Sequence, residues 1–106
     1  MKMIKDIFGR RVRLTDERLN HMRAFHPELA NPVRRIRETL IDPERVVQSA
    51  SDTAVSLFYR FYRTSPVGPK YFAVVVKFIG DDYFVLTSYF TDKIKQGDVL
   101  WTKVSA

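Results

Sequence analysis

The spacing of hydrophobic positions changes part-way along the chain. After a short extended start, apolar residues up to Leu40 recur every three or four positions; from Val46 onward they alternate. Met3 to Phe8, Gly9 and Val12 to Leu14 read as an extended segment turned by the glycine. Thr15 caps a helix whose first turn holds Asp16 and Glu17, both well placed against the positive end of the dipole, and Leu19, Met22 and Phe25 form its buried stripe. Pro27 stops that helix and disfavours helical geometry at His26. Asn31 and Pro32 open a second helix with Val33, Ile36 and Leu40 on its core side, and Pro43 closes it.

The alternating half divides into Val46 to Ser49, Ala54 to Arg63, Lys70 to Ile79 and Tyr83 to Thr91, separated by turn-rich stretches. A polar loop, Lys93 to Gly97, leads to a last strand, Val99 to Val104, which carries Trp101. The fold class expected is α+β: two N-terminal helices packed on a curved antiparallel meander, in a single domain spanning residues 1–106. A three-residue hairpin, Gly80 to Asp82, sets Ile79 opposite Tyr83 and Val75 opposite Thr87. Phe72, Val74, Val76, Phe78, Phe84, Leu86 and Phe90 then face the helices. On the preceding strand Val55, Leu57, Tyr59 and Phe61 are the more apolar set, which leaves Arg60 on the open face with Lys77, Thr87 and Tyr89.

Charge adds a direction to this picture. Eighteen Lys and Arg against twelve Asp and Glu give a net charge of +6, which favours polyanionic partners such as RNA or an acidic protein. There is no cysteine, so thiolate chemistry and Cys-based zinc sites are excluded, and no cofactor is called for. No apolar run approaches a membrane span, and the start lacks the apolar core of a signal peptide, so a cytoplasmic location without a membrane partner is expected.

Two groups of residues suggest chemistry. On a continuous helix His21 and His26 would point about 140° apart; with His26 turned out by Pro27 the two imidazoles converge. Plainer readings are a solvated His21 and a His26 favoured by the negative helix end. Thr87 and Tyr89 present two hydroxyls about 7 Å apart on one strand face, beside the cations Arg60 and Lys77. Arg34, Arg35 and Arg37 form a cationic side of the second helix, either simply solvated or in contact with phosphates. A face with these aromatic rings and cations suits RNA, whose bases stack and whose phosphates are neutralised.

The runs ERLNHMRAFHPE at Glu17 to Glu28, DPERVV at Asp42 to Val47, LFYRFY at Leu57 to Tyr62, FAVVVKF at Phe72 to Phe78 and FVLTSYFTDKIKQGDVLW at Phe84 to Trp101 resemble the phage-associated nucleases of the barnase/EndoU/colicin/RelE-like group. The resemblance covers most of the chain. It implies a metal-independent endoribonuclease, often a toxin held by an acidic antitoxin or immunity protein. His21 and His26 would then match the helix histidines of the group, Thr87 and Tyr89 its strand hydroxyls, and Arg60 or Lys77 its basic strand position. One histidine would take the proton from a ribose 2′-OH, which attacks the adjacent phosphate and leaves a 2′,3′-cyclic phosphate. The rival classes are a non-catalytic RNA- or protein-binding module and an inactive structural or regulatory subunit. The first does not need both histidines; the second fits imidazoles far from Thr87 and Tyr89.

Overall fold

The computed structural model describes residues 1–104. Strands β1 (Lys2–Lys5) and β2 (Arg11–Leu14) form a hairpin, followed by helices α1 (Asp16–Phe25) and α2 (Val33–Ile41) and then by β3 (Arg45–Ser49), β4 (Val55–Tyr62), β5 (Lys70–Ile79), β6 (Asp82–Thr91) and β7 (Gly97–Thr102). The Thr15 side chain accepts the Arg18 N–H at 3.2 Å, satisfying one of the free donors at the start of α1. At the other end His26 is the cap residue, in non-helical geometry, and its N–H reaches the Met22 carbonyl at 2.7 Å. The proline thus ends the helix where the sequence says. A 3₁₀ turn, Pro27–Leu29, leads into α2, whose cap is Pro32 rather than Asn31, although Asn31 Oδ1 still accepts the Val33 N–H at 3.4 Å.

The seven strands make one sheet in the order β1-β2-β6-β5-β4-β3-β7. The antiparallel run β3 to β6 is the expected meander; β7 extends it beyond β3, and β2 joins β6 in parallel. Leu19 and Met22 of α1 and Ile36 and Leu40 of α2 share a buried core with Phe58, Phe72, Val74, Val76 and Val85 on one face. Burying each large side chain contributes roughly 1.5 to 3 kcal/mol. On the opposite face a smaller core gathers Val47, Leu57, Tyr59 and Ala73, with Val75, Tyr89 and Ile94 against it.

Ile94 comes from the connection between β6 and β7. Because β7 lies beyond β3, the segment Asp92–Gln96 has to pass β5, β4 and β3, and Ile94 packs on the helix-free face as it does so. Four strand spacings amount to about 19 Å, and the segment reaches about 20 Å at full stretch. It is a short strap across the face. The Lys95 N–H donates to the Tyr59 hydroxyl at 3.2 Å, tying the strap to β4. Gly97 receives it at the far edge, where a Cβ would collide with the Gln48 carbonyl and approach Val47 Cγ1 to 2.8 Å.

Two expectations about strand facing are corrected. The β5–β6 turn is the two-residue pair Gly80-Asp81, so Ile79 faces Asp82 and not Tyr83. Gly80 has φ of +60°, the positive value that a tight hairpin needs at its first central position. Asp82 is also held by Arg13 through two hydrogen bonds of 2.8 and 2.6 Å. An irregularity between Val75 and Val76 then absorbs one residue, and Val75 pairs with Thr87 as expected. Below it the faces exchange: Val85 enters the helix-side core while Phe84 stands opposite Lys77. The second correction concerns β4. Leu57 and Tyr59 belong to the helix-free core, and Phe58 and Tyr62 belong to the helix side. Both faces of β4 are covered, by helices on one side and the strap on the other, so comparing their hydrophobicity misleads.

Candidate nucleic-acid interface

Ser88 decides which way the β6 hydroxyls point. It is fully buried and its hydroxyl lies 3.1 Å from Met22 Sδ of α1, so its neighbours Thr87 and Tyr89 project to the helix-free side. There Tyr89 stands opposite Ala73 and Thr87 opposite Val75. Lys77 shares the face as the cross-strand partner of Val55, with its Nζ 3.2 Å from Asp52 Oδ2. The Ala54 N–H and then Lys77 hold the Asp52 carboxyl below its usual range. Burial pushes the Tyr59 and Tyr89 phenols above theirs, with the neighbouring Tyr59 adding to the effect at Tyr89.

Tyr71 completes this face without having been named from the sequence, together with Tyr59 and Phe61, which the sequence assigned to the helix side. Tyr71 meets Tyr59 edge-on with ring centres 6.4 Å apart, and Phe61 meets Tyr71 at 5.2 Å. The strap divides the surface. On one side a cavity of about 340 Å³ lies among Ser49, Ser51, Val55, Leu57, Val75, Tyr89, Lys95 and Gln96. On the other a cavity of about 390 Å³ lies among Glu44, Arg45, Tyr71, Ile94 and Lys103. One signal was legible: Ile94 is the only apolar residue in the polar stretch Asp92–Gln96, and an isolated apolar residue there has something to cover.

The remaining expected site residues lie on the helix side. His21 is exposed on α1 and its ring sits 4.6 Å from that of Phe25. His26 turns its Nδ1 to Glu28 Oε1 at 3.4 Å. Each imidazole faces a different neighbour, and the sheet separates both from Thr87 and Tyr89. Arg60 is likewise corrected: it follows Tyr59 in β4 and so points to the helices, where Nη1 donates to the Asp42 carbonyl at 2.7 Å and to its carboxylate at 2.9 Å. Arg60 and Lys103 hold the Asp42 carboxyl below its usual range, and Arg60 thereby fastens the end of α2 to the sheet. The expected grouping of Arg60 with Lys77 fails because the β4 faces are exchanged.

Arg35 is the α2 arginine that enters the structure. Its guanidinium lies 5.4 Å from the Tyr62 ring centre and 5.5 Å from that of Phe90. The Tyr62 hydroxyl donates to Glu38 at 2.6 Å, and burial with that bond pushes the Tyr62 phenol up to about 12. Arg34 and Arg37 are exposed, Arg34 with Nη1 3.8 Å from Glu38. These arginines form a basic surface on the side opposite Thr87 and Tyr89. Among the described residues no three His, Cys, Asp or Glu side chains cluster as metal ligands would, and no helix is long and apolar enough to cross a membrane. No family model, curated protein or solved structure matches the chain.

Proposed function

We propose that this chain binds single-stranded RNA across the helix-free face of its sheet, as a non-catalytic or weakly catalytic relative of the barnase/EndoU/colicin/RelE-like nucleases. The observation that carries the reading is one face holding the half-buried rings of Tyr71 and Tyr89 over a fully buried Tyr59, together with Lys95 and Arg45 and the Asp52-paired Lys77, in a chain of net charge +6. Aromatic rings accept unstacked bases, and cations at the rim neutralise the phosphates between them. Duplex RNA offers no free base faces to such a surface.

Cleavage is the second reading, favoured by the presence of Thr87, Tyr89 and Lys77 on that same face. A 2′-OH attacking its own phosphate loses its proton to solvent as the O2′–P bond forms, and the 5′ oxygen expelled as the P–O5′ bond breaks needs a proton. The Tyr89 phenol carries its proton at neutral pH, as a free phenol does, and stands on the right face to donate it, while Lys77 and the Thr87 hydroxyl stabilise charge on the phosphorane. His21 and His26 take no part in this version, because the sheet lies between them and the hydroxyls.

Titration of a labelled single-stranded oligoribonucleotide tests the first reading. Contact with about four phosphates gives a log-log salt slope near −3. An affinity that is flat between low and moderate salt refutes it. Incubation of the protein with total RNA in EDTA tests the second: a 2′,3′-cyclic phosphate end lost in Tyr89→Phe supports it, and intact RNA leaves the binding reading alone.

A further inference from the structure

We propose that the cavity between Tyr89 and the strap is a nucleoside pocket that takes one flipped-out base of the bound RNA. The inference rests on the RNA reading and specifies where recognition occurs. Leu57 and Val75 give the cavity an apolar part and Tyr89 an aromatic one; Gln96, Lys95 and the Ser49–Ser51 pair, whose hydroxyls lie 3.2 Å apart, add polar residues to its lining. A base in a single strand has the matching chemistry, with apolar faces, a hydrogen-bonding edge and an anionic phosphate on either side. A free phosphate would leave the apolar part unused, and an aliphatic ligand would leave the polar residues unused.

Size and charge agree with this occupant. At about 340 Å³ the cavity is at the small end of ligand pockets, which run from roughly 300 to 1,000 Å³. That suits one nucleoside rather than a stacked pair. Lys77 lies beside the pocket wall as the cross-strand partner of Val55, and Lys95 stands on the strap. Lys77 is paired with Asp52 at 3.2 Å, so Lys95 is the lining cation that meets a phosphate next to the base. The apolar part is continuous with the small core under the strap, which keeps it formed without a ligand.

The test compares parent, Tyr89→Phe and Tyr89→Ala in fluorescence anisotropy with labelled oligouridylate and oligoadenylate. Loss of one base–aromatic stack predicts binding weaker by roughly 5- to 150-fold in Tyr89→Ala, with Tyr89→Phe close to the parent. The parent is also titrated with each of the four nucleoside 5′-monophosphates while methyl NMR signals are followed. Shifts at Val55, Leu57 and Val75 support the pocket, and this measurement stands even if Tyr89→Ala does not fold. If the parent binds RNA but Tyr89→Ala binds equally well, or the methyl shifts fall only on the helix side, the pocket is overturned and the RNA reading survives. If the parent binds no RNA, both fall together.

Discussion

Tyr62 shows how one side chain on β4 carries information that its sequence neighbours do not. It joins Glu38 of α2 through a 2.6 Å hydrogen bond and lies under the guanidinium groups of Arg35 and Arg60, at 5.4 and 5.6 Å. Its phenol is pushed up to about 12, chiefly by burial and then by the bond to Glu38. A phenol in the unfolded chain ionises near 10. The folded state therefore holds this proton more tightly, and its contribution to stability is complete below about pH 10 and is lost as pH rises through about 12. Denaturant unfolding across pH 9 to 12, alongside the phenolate absorbance, checks this. Tyr62→Phe should remove part of the alkaline loss of stability, and a Tyr62 midpoint near 10 would contradict the burial. Alternation in the LFYRFY run puts Tyr59 and Tyr62 on opposite faces, but nothing in it reveals which of the two meets the helices.

Among the elements, the strap has the greatest influence on the site and was the least legible in the sequence. Helix starts and stops were readable because capping and proline effects are local: Thr15 caps α1, and His26 leaves the helix before Pro27. The β5–β6 pairing was readable where Val75 meets Thr87 and misread near the turn, since a single bulge shifts the register without leaving a mark in the pattern. The facing of β4 was misread because the strap covers what would otherwise be a wet face. Gly97 tests the strap directly. A Cβ there meets the Gln48 carbonyl and Val47 Cγ1, so Gly97→Ala should push β7 off β3 and destabilise the fold by about 1 to 3 kcal/mol, the usual range for overpacking. Urea unfolding measures this, and an unchanged midpoint would mean that the close approach does not exist.

At the scale of the molecule, the sheet separates two basic surfaces. Thr87, Tyr89 and Lys77 were correctly grouped by period-two alternation, while His21, His26 and Arg60 were joined to them by assumptions that alternation cannot test. Whether a helix packs above or below a strand is a tertiary fact, recorded here in the contact between Ser88 and Met22. The net charge of +6 does not say which surface meets a polyanion, so the two faces have to be compared at equal charge. Arg45→Gln with Lys95→Gln, and Arg34→Gln with Arg37→Gln, each remove the same charge from opposite sides of the sheet. The most direct test is the salt dependence of single-stranded RNA binding by these two double variants. The helix-free pair should bind more weakly and lose about 1.4 from the magnitude of the log-log slope, as expected for two phosphates released, while the helix-side pair keeps the parent slope. The opposite outcome, a slope lost with Arg34 and Arg37 and kept without Arg45 and Lys95, would contradict the account.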